Sequence, residues 1–243
     1  KKLNSVTFSF MLILWCGIAV AAQLNLNVAN RPLADFKRDV TSKPEDIIMF
    51  SGVSSGNTVL DVLGGSGYYS ELISQVVGEH GKVYLHNNKA YMPYVQKQLE
   101  ARLKDERLVN VVRHDKELDA LALPNNSIDF IFFVMGYHDI YHTAQGWKIN
   151  KEQFISQLHA SLKVGGKLLV IAHDAVKGSG NKSSQEIHRI EQQFVIDDLT
   201  TMGFQLVKST DLLKNPNDTL TQSVFTEGLR GKTSRFVLLF EKI

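Results

Sequence analysis

Residues 59–69 read VLDVLGGSGYY, in which an apolar run leads through a glycine-rich turn into aromatic residues. Residues 58–63 are short and apolar with turn signals on both sides, which predicts a buried parallel strand. Residues 68–77 have helical spacing and end at Gly78, which predicts a helix. Glycines between two such elements let the backbone approach a ligand, and the free N–H groups of the helix start face it. The unit therefore predicts a ligand site, although a tight turn also needs glycine for packing alone.

The rest of the chain repeats this alternation of strand and helix. Further strands are predicted at residues 82–86, 108–112, 128–135, 167–172, 204–208 and 236–240. Further helices are predicted at residues 42–52, 91–103, 152–162 and 187–202. Such alternation predicts an α/β, Rossmann-like, doubly wound fold with a mostly parallel, seven-stranded sheet. Because the last two strands have no helix between them, they are expected to form an antiparallel hairpin at the C-terminal edge.

Two polar residues follow neighbouring strands of this predicted sheet. Asn87 stands 20 residues after Gly67, where nucleotide-binding sheets usually place an acidic residue for the ribose hydroxyls. Its amide makes hydrogen bonds worth about 0.5–1.5 kcal/mol, whereas a charged group would make bonds worth about 1.5–3 kcal/mol. Asp115 follows the next strand, and a solvated charged loop is the alternative to a binding role there.

The sequence Gly136-Tyr137-His138-Asp139 follows the most hydrophobic predicted strand. In open parallel sheets, ligands bind outside the carboxyl ends of the strands, so this tetrapeptide is expected to line the pocket. His138 has the chemistry of a general base towards a hydroxyl or amine, and Tyr137 or Asp139 would position it. These three residues are the predicted catalytic group.

Histidines also raise the question of a metal site. His138 and His142 have the i, i+4 spacing of a helical metal site, but no third ligand is evident and the stretch reads as a loop. The sequence therefore predicts no metal. His188 and Arg189 fall within the predicted helix of residues 187–202, where surface and functional roles are both open.

Residues 59–69 resemble the first motif of class I S-adenosylmethionine (SAM) methyltransferases, in which an acidic residue precedes G-x-G-x-G. The stretches Arg113-His114-Asp115, Leu123-Pro124 and Ser127-Ile128-Asp129-Phe130 continue the order of that family, and the resemblance covers about residues 50–210. Tyr137-His138-Asp139, His188-Arg189 and Arg230-Gly231-Lys232-Thr233 also look like a bacterial group of exported methyltransferases. The second resemblance implies a fold and a cofactor, but it supplies no methyl acceptor.

The resemblance implies that SAM is the cofactor. The implied cofactor-binding residues are Asp61, Gly64, Gly65, Gly67, Asn87 and Asp115. Asp61 would orient the methionine end of SAM, the glycines would give it room, and Asp115 would lie beside the adenine. Leu63 stands where the family has its first glycine, and Asn87 stands where it has an acidic residue.

Charge and cysteine content limit the classes of substrate and of catalytic site that the chain can have. The chain has 27 Lys and Arg against 25 Asp and Glu, and Lys1 and Lys2 supply that surplus. A formally neutral domain has no electrostatic footprint for a phosphate backbone, so a small-molecule substrate is expected and nucleic acid is not. Cys16 is the only cysteine, which excludes cysteine nucleophiles and thiolate zinc sites from residues 23–243. Oligomeric state is left open.

Residues 1–22 read as a signal peptide, with two lysines, an apolar run and then small residues. An uncleaved membrane anchor at residues 6–22 is the alternative, and it would be the only membrane contact. Residues 23–50 are expected to form an N-terminal arm and a first helix, and residues 51–243 a methyltransferase-like domain. The expected location is the bacterial periplasm.

Two classes of function remain open at this point. The first is SAM-dependent methyl transfer to a small molecule or an envelope component. The alternative is an exported, non-catalytic Rossmann-like module that has lost tight SAM binding, which Leu63 and Asn87 would allow. The combination of Asp61, Gly65 and Gly67 favours the enzyme.

Overall fold

The computed structural model describes residues 24–243. Their strands form a single seven-stranded sheet. The strands are β1 Thr58–Val62, β2 Lys82–Asn87, β3 Val111–Asp115, β4 Ile128–Val134, β5 Leu162–His173, β6 Phe204–Thr210 and β7 Arg235–Lys242. Their order in the sheet is β3-β2-β1-β4-β5-β7-β6. β7 runs antiparallel to both of its neighbours, β5 and β6, and the other strand pairs are parallel, so the predicted fold class and the C-terminal edge hairpin are confirmed. The predicted signal peptide, residues 1–22, lies outside the described residues.

Helices cover both faces of this sheet. They are α1 Leu33–Ser42, α2 Pro44–Ser51, α3 Tyr68–Val77, α4 Met92–Leu103, α5 Lys151–Ser161, α6 Ser184–Ile187 and α7 Gln192–Thr201. One apolar core forms where α5 and α7 pack on the sheet, and a second forms beneath α2 and α3. Within residues 24–243, none of the helices is both long enough and apolar enough to span a membrane.

The predicted strand at residues 108–112 is shifted in the structure to Val111–Asp115. Asn110 lies before the strand because its side-chain amide donates to the carbonyl oxygens of Ser74 and Gly78, at 2.8 and 2.9 Å. The shift brings Asp115 into register with Asn87 at the carboxyl end of β2. Both side chains that sequence placed near a nucleotide therefore lie at one edge of the sheet.

The predicted helix at residues 187–202 is wrong in its first turn, because α7 begins only at Gln192. His188 adopts a left-handed backbone conformation with a φ of 55°, and Ile190 then donates its N–H to His173 O at 3.0 Å. Arg189 is fully buried and forms an ion pair with Asp218. This long-range pair outweighs the local helical pattern, and it turns His188 towards the loop that follows β4.

The predicted arm at residues 23–50 contains helices α1 and α2 in its described part. An ion pair between Arg102 and Asp35, 2.8 Å long, ties α1 to α4. The Tyr68 hydroxyl donates to Asp39 at 2.7 Å and ties α1 to α3. These contacts hold Arg38 of α1 over the start of α3, beside the glycine-rich turn.

Candidate functional site

The glycine-rich turn is shaped by its neighbours. Gly65 and Gly67 have φ angles of 62° and 85°, in the left-handed region that favours glycine. A Cβ on Gly67 would lie 2.6 Å from the Leu85 side chain, and one on Gly64 would lie 2.7 Å from the Asp61 carboxylate. Glycine at these positions is required by packing and backbone conformation together.

Leu63 also adopts a left-handed conformation, with a φ of 50°. A non-glycine residue pays about 1–2 kcal/mol for that conformation, so the position favours the glycine that the family has there. Its neighbours hold the strained backbone in place. Leu63 N–H lies 3.3 Å from His86 Nδ1, and Gly64 N–H donates to His86 O at 2.9 Å. The leucine side chain is buried in the apolar core, which offsets the backbone cost.

Asp61 lies at the carboxyl side of β1 with only 1% of its surface exposed. Ser70 donates its hydroxyl to Asp61 Oδ2 at 2.6 Å. Burial raises the pKa of Asp61 to about 6, although the Ser70 hydrogen bond and the Arg38 charge both oppose this shift. A buried carboxylate of this kind favours a cationic partner, because such a partner offsets its lost hydration.

A cavity of about 190 Å³ joins Asp61 to Arg38 beside the glycine-rich turn, with Tyr68, Tyr69 and Tyr91 in its wall. The Arg38 guanidinium lies 4.0 Å from the centre of the Tyr68 ring. The cavity therefore offers a carboxylate and a guanidinium a short distance apart. An amino-acid zwitterion, such as the methionine end of SAM, is complementary to this pair of charges. The chain's residues thus fit the cofactor that the sequence predicted.

Asn87 is fully buried, and its amide is used by the glycine-rich turn. Gly65 N–H donates to Asn87 Oδ1 at 3.0 Å, and Asn87 Nδ2 donates to Gly65 O at 2.9 Å. A carboxylate can accept the first bond but cannot donate the second. The two hydrogen bonds to Gly65 therefore explain why residue 87 is an amide. The predicted contact of Asn87 to the ribose stays a prediction.

We expect Asn87→Asp to lower the free energy of unfolding by about 1–3 kcal/mol, because Gly65 O loses its donor and a carboxylate is buried against it. Asn125→Asp changes an exposed residue in the same way and is the matched control. Urea denaturation of both variants measures the difference. Equal stabilities would show that the double hydrogen bond to Gly65 does not hold the turn.

Asp115 lies at the end of β3, with 40% of its side chain exposed and an ion pair to Arg113 at 2.7 Å. Its register partner on β2 is Asn87, which is the residue that contacts the glycine-rich turn. Just beyond Asp115 is a cavity of about 220 Å³, lined by Asn88, Glu117, Leu118 and Trp147. This cavity lies beyond the carboxyl ends of β2 and β3, and a role for it in binding the nucleoside part of SAM stays a prediction.

Sequence did not single out Tyr91 or Trp147. Tyr91 lines the cavity beside the glycine-rich turn, and Trp147 lines the cavity beyond Asp115. Their rings stack with centres 5.6 Å apart. Together with Tyr94, Asp139 and His142 they line a third cavity of about 340 Å³. The one sequence signal was that Tyr91 starts the predicted helix of residues 91–103, shortly after Asn87, although α4 itself begins at Met92. Trp147 lies in a loop with no local signal.

Tyr137 does not reach these cavities. Its hydroxyl donates to Asp198 Oδ2 at 2.6 Å, and Lys151 pairs with the other oxygen of that carboxylate at 2.7 Å. The ring is fully buried in the core near Phe133. The structure therefore places Tyr137, predicted as a catalytic residue, in contacts that fasten the turn after β4 to α7.

His138 and Asp139 lie together, as predicted, and His188 joins them. His138 Nε2 and His188 Nδ1 lie 3.3 and 3.4 Å from Asp139 Oδ1. Tyr91 donates its hydroxyl to Asp139 Oδ2 at 3.0 Å. Burial lowers the pKa of His138 to about 4. Burial opposes ionisation of Asp139, but His188 and His138 hold the pKa of its carboxyl below the ordinary value.

The sequence has recognisable relatives. The model of the ubiE/COQ5 methyltransferase family matches residues 35–191. The ubiquinone/menaquinone biosynthesis C-methyltransferase UbiE of Shewanella pealeana is 30% identical over 163 residues, covering 66% of this chain and 58% of the relative. The same enzyme of Pseudoalteromonas translucida is 33% identical over 125 residues, covering 51% and 45%. The chain spans about half the length of the curated relatives it matches.

Solved structures share the fold. A SAM-dependent methyltransferase from Aquifex aeolicus matches with a TM-score of 0.61 at 22% identity, covering 88% of this chain and 99% of that chain. The [4+2]-cyclase SpnF matches with a TM-score of 0.57 at 13% identity, covering 92% and 88%. At these identities the likeness shows the fold alone, and that fold is found in proteins named for different reactions.

Proposed function

This chain belongs to the ubiE/COQ5 methyltransferase family, and from that membership we propose that it transfers a methyl group from SAM to a small molecule. The observation that carries this proposal is the pairing of Asp61 and Arg38 in one cavity beside the glycine-rich turn. Two opposite charges at that position are complementary to the amino and carboxylate groups of the methionine end. The resemblance that sequence suggested to class I methyltransferases is confirmed by the family match.

Each part of the site has a separate task in this proposal. When bound, SAM supplies an electrophilic methyl group on a sulfonium. Asp61 would accept hydrogen bonds from the cofactor's ammonium, and Arg38 would donate to its carboxylate. Gly64 and Gly65 give room for close approach of the backbone. Tyr91 lines both the cavity that contains Asp61 and Arg38 and the 340 Å³ cavity, so its side chain lies between the proposed cofactor and acceptor spaces.

The acceptor is proposed to bind in the 340 Å³ cavity, where Tyr94 and Trp147 offer aromatic surface and Asp139 and His142 offer polar groups. His142 is better placed than His138 to take the acceptor's proton, because His142 lines the cavity and His138 is 4% exposed. A neutral imidazole is an effective general base near pH 7. His142 Nδ1 is buried and has no hydrogen-bond partner within residues 24–243.

Export belongs to the same proposal. The basic and apolar pattern of residues 1–22 supports secretion to the bacterial periplasm, with retention by an uncleaved anchor at residues 6–22 as the other outcome. The balanced charge of the remaining chain supports a small-molecule acceptor over a nucleic acid.

A non-catalytic binding module is the second candidate, and Asn87 favours it. The amide is committed to Gly65 on both sides, so this position offers the ribose no carboxylate. A fold shared with a protein named as a cyclase also allows a role other than methyl transfer.

Calorimetric titration of SAM and S-adenosylhomocysteine into the purified chain tests the proposal. We expect micromolar binding, and Arg38→Gln should weaken it about tenfold, the loss of one charge-assisted hydrogen bond. Lys37→Gln removes the preceding cation of α1 and is the matched control. Absence of binding at millimolar SAM would overturn the methyltransferase proposal. Binding without methyl transfer to any acceptor in a screen would favour the binding module.

A further inference from the structure

A group of three side chains lies beside the acceptor cavity, and the proposed function uses only one of them, Asp139, which lines that cavity. His138 and Asp139 lie in the short turn after β4, and His188 lies at the end of α6. We name these three residues the histidine cluster. The two segments are about 50 residues apart in sequence, so only the break before α7 brings them together.

The separations within the histidine cluster suit a metal ion. Both imidazole nitrogens approach the same oxygen, Asp139 Oδ1, at 3.3 and 3.4 Å. These contacts are longer than the roughly 2.7–2.9 Å of a charge-assisted hydrogen bond. Two nitrogen or oxygen ligands at about 2.0–2.1 Å from a tetrahedral zinc ion lie about 3.3–3.4 Å apart. One ligand atom from each of the three residues lies within 4.8 Å of the other two.

A buried, unpartnered imidazole provides a second observation. His138 is 4% exposed, and its Nδ1 has no hydrogen-bond partner within residues 24–243. Its ring lies among other imidazoles, with centres 5.4 Å from His188 and 5.6 Å from His173. The ion would be held through Nε2, the ring nitrogen that faces Asp139, so what this environment adds is a buried imidazole packed among groups of the ligand type.

The surroundings supply a supporting shell and an entry path. Tyr91 donates to Asp139 Oδ2, the oxygen that does not face the imidazoles, and so fixes the orientation of the carboxylate. Asp139 also lines the acceptor cavity, which gives an ion access from solvent. His142 lies next to His188, with ring centres 4.8 Å apart.

We propose that His138, Asp139 and His188 bind one divalent transition-metal ion. Two imidazoles and one carboxylate form the ligand set that first-row transition metals take in sites that keep open coordination positions. Asp139 lies between the cluster and the acceptor cavity, so the open positions belong to water or to an oxygen of a molecule in that cavity. Binding of the ion is independent of SAM and goes beyond the proposed methyl transfer.

Zinc alone is the probe for this site. The purified chain, without a polyhistidine tag and treated with a chelator, is titrated with zinc chloride by calorimetry. We expect one zinc ion per chain, with His188→Asn weakening the binding about tenfold or more. Asparagine tolerates the left-handed backbone of residue 188, so this variant is expected to fold. His80→Asn changes an exposed histidine in the same way and is the matched control.

Two further readouts keep the outcome clear. Asp139→Asn removes the shared oxygen's charge without changing the shape of the side chain, and it should weaken zinc binding as His188→Asn does. Cobalt(II) in the wild-type chain should show the intense visible absorption of a four-coordinate nitrogen and oxygen site. Wild-type zinc affinity in both variants, or no binding by the wild-type chain, would overturn the proposal. SAM titration in the presence of chelator is separate, so failure of one proposal leaves the other measurable.

Discussion

Replacing Arg189 by methionine is expected to lower the free energy of unfolding by about 3–5 kcal/mol, the cost of breaking a buried ion pair from one side. The Arg189 guanidinium is fully buried and contacts both carboxylate oxygens of Asp218, at 3.0 and 2.9 Å. It also donates to Asp174 O at 2.9 Å and to Gln222 O at 2.8 Å. Methionine fills much of the same volume but leaves these acceptors without their donor.

The same contacts explain why the loss is large. Asp218 and Gln222 lie in the loop between β6 and β7, whereas Asp174 follows β5. Arg189 therefore connects its own segment to the loop between β6 and β7 and to the residue that follows β5. Urea denaturation measures the change, with Arg230→Met as the control because Arg230 is exposed. A loss under about 1 kcal/mol, within reach of an ordinary surface substitution, would contradict this account.

Short-range patterns were sufficient for the sheet. Apolar runs predicted β1 and β4, and helical periodicity predicted α3. The structure confirms all three elements, with bounds within a few residues of the predicted ones. Burial on both faces makes a central parallel strand a continuous apolar run, which few other structures produce. The order of the strands, β3-β2-β1-β4-β5-β7-β6, is a finding of the structure and was not predicted.

The long-range polar contacts could not be predicted from the sequence. The pattern of residues 187–202 is helical, yet the partner that breaks the helix, Asp218, comes about 30 residues later. The position of His188 depends on that break, so the third member of the histidine cluster was invisible locally. Tyr137 illustrates the converse, since its hydroxyl pairs with Asp198 of α7 and not with the pocket.

The binding half of the site was predictable where the backbone determines it. Asp61, Gly64 and Gly65 belong to one short stretch, and all three line one cavity. Arg38 was missed because α1 is held beside the turn by an ion pair with α4 and a hydrogen bond from α3, which are long-range contacts. Trp147 was missed because it approaches Asp139 from a loop, through an indole N–H to carbonyl bond of 2.8 Å.

Asp61→Asn is expected to weaken SAM binding about 10- to 150-fold, the loss of a charge-assisted hydrogen bond of about 1.5–3 kcal/mol to the cofactor's ammonium. The amide keeps the shape of the side chain and can still accept the hydrogen bond from Ser70. Calorimetry at pH 8 measures the change, and Asp211→Asn, at an exposed aspartate, is the control. Wild-type affinity in Asp61→Asn would show that the turn has a structural role only.

The free energy of unfolding of Asp61→Asn should rise, although its affinity for SAM should fall. Because burial raises the pKa of Asp61 from 3.8 to about 6, the native state binds this proton more tightly than the unfolded chain does. Wild-type stability therefore falls as the pH rises from about 4 to above 6, since the buried carboxylate must then be charged. At pH 8 we expect Asp61→Asn to be more stable than wild type by about 1–3 kcal/mol, and at pH 4 the difference should nearly vanish. The buried charge of Asp61 destabilises the fold at pH 8, so a purely structural role does not explain it. Lower SAM affinity together with higher stability in Asp61→Asn would identify Asp61 as a ligand-binding group.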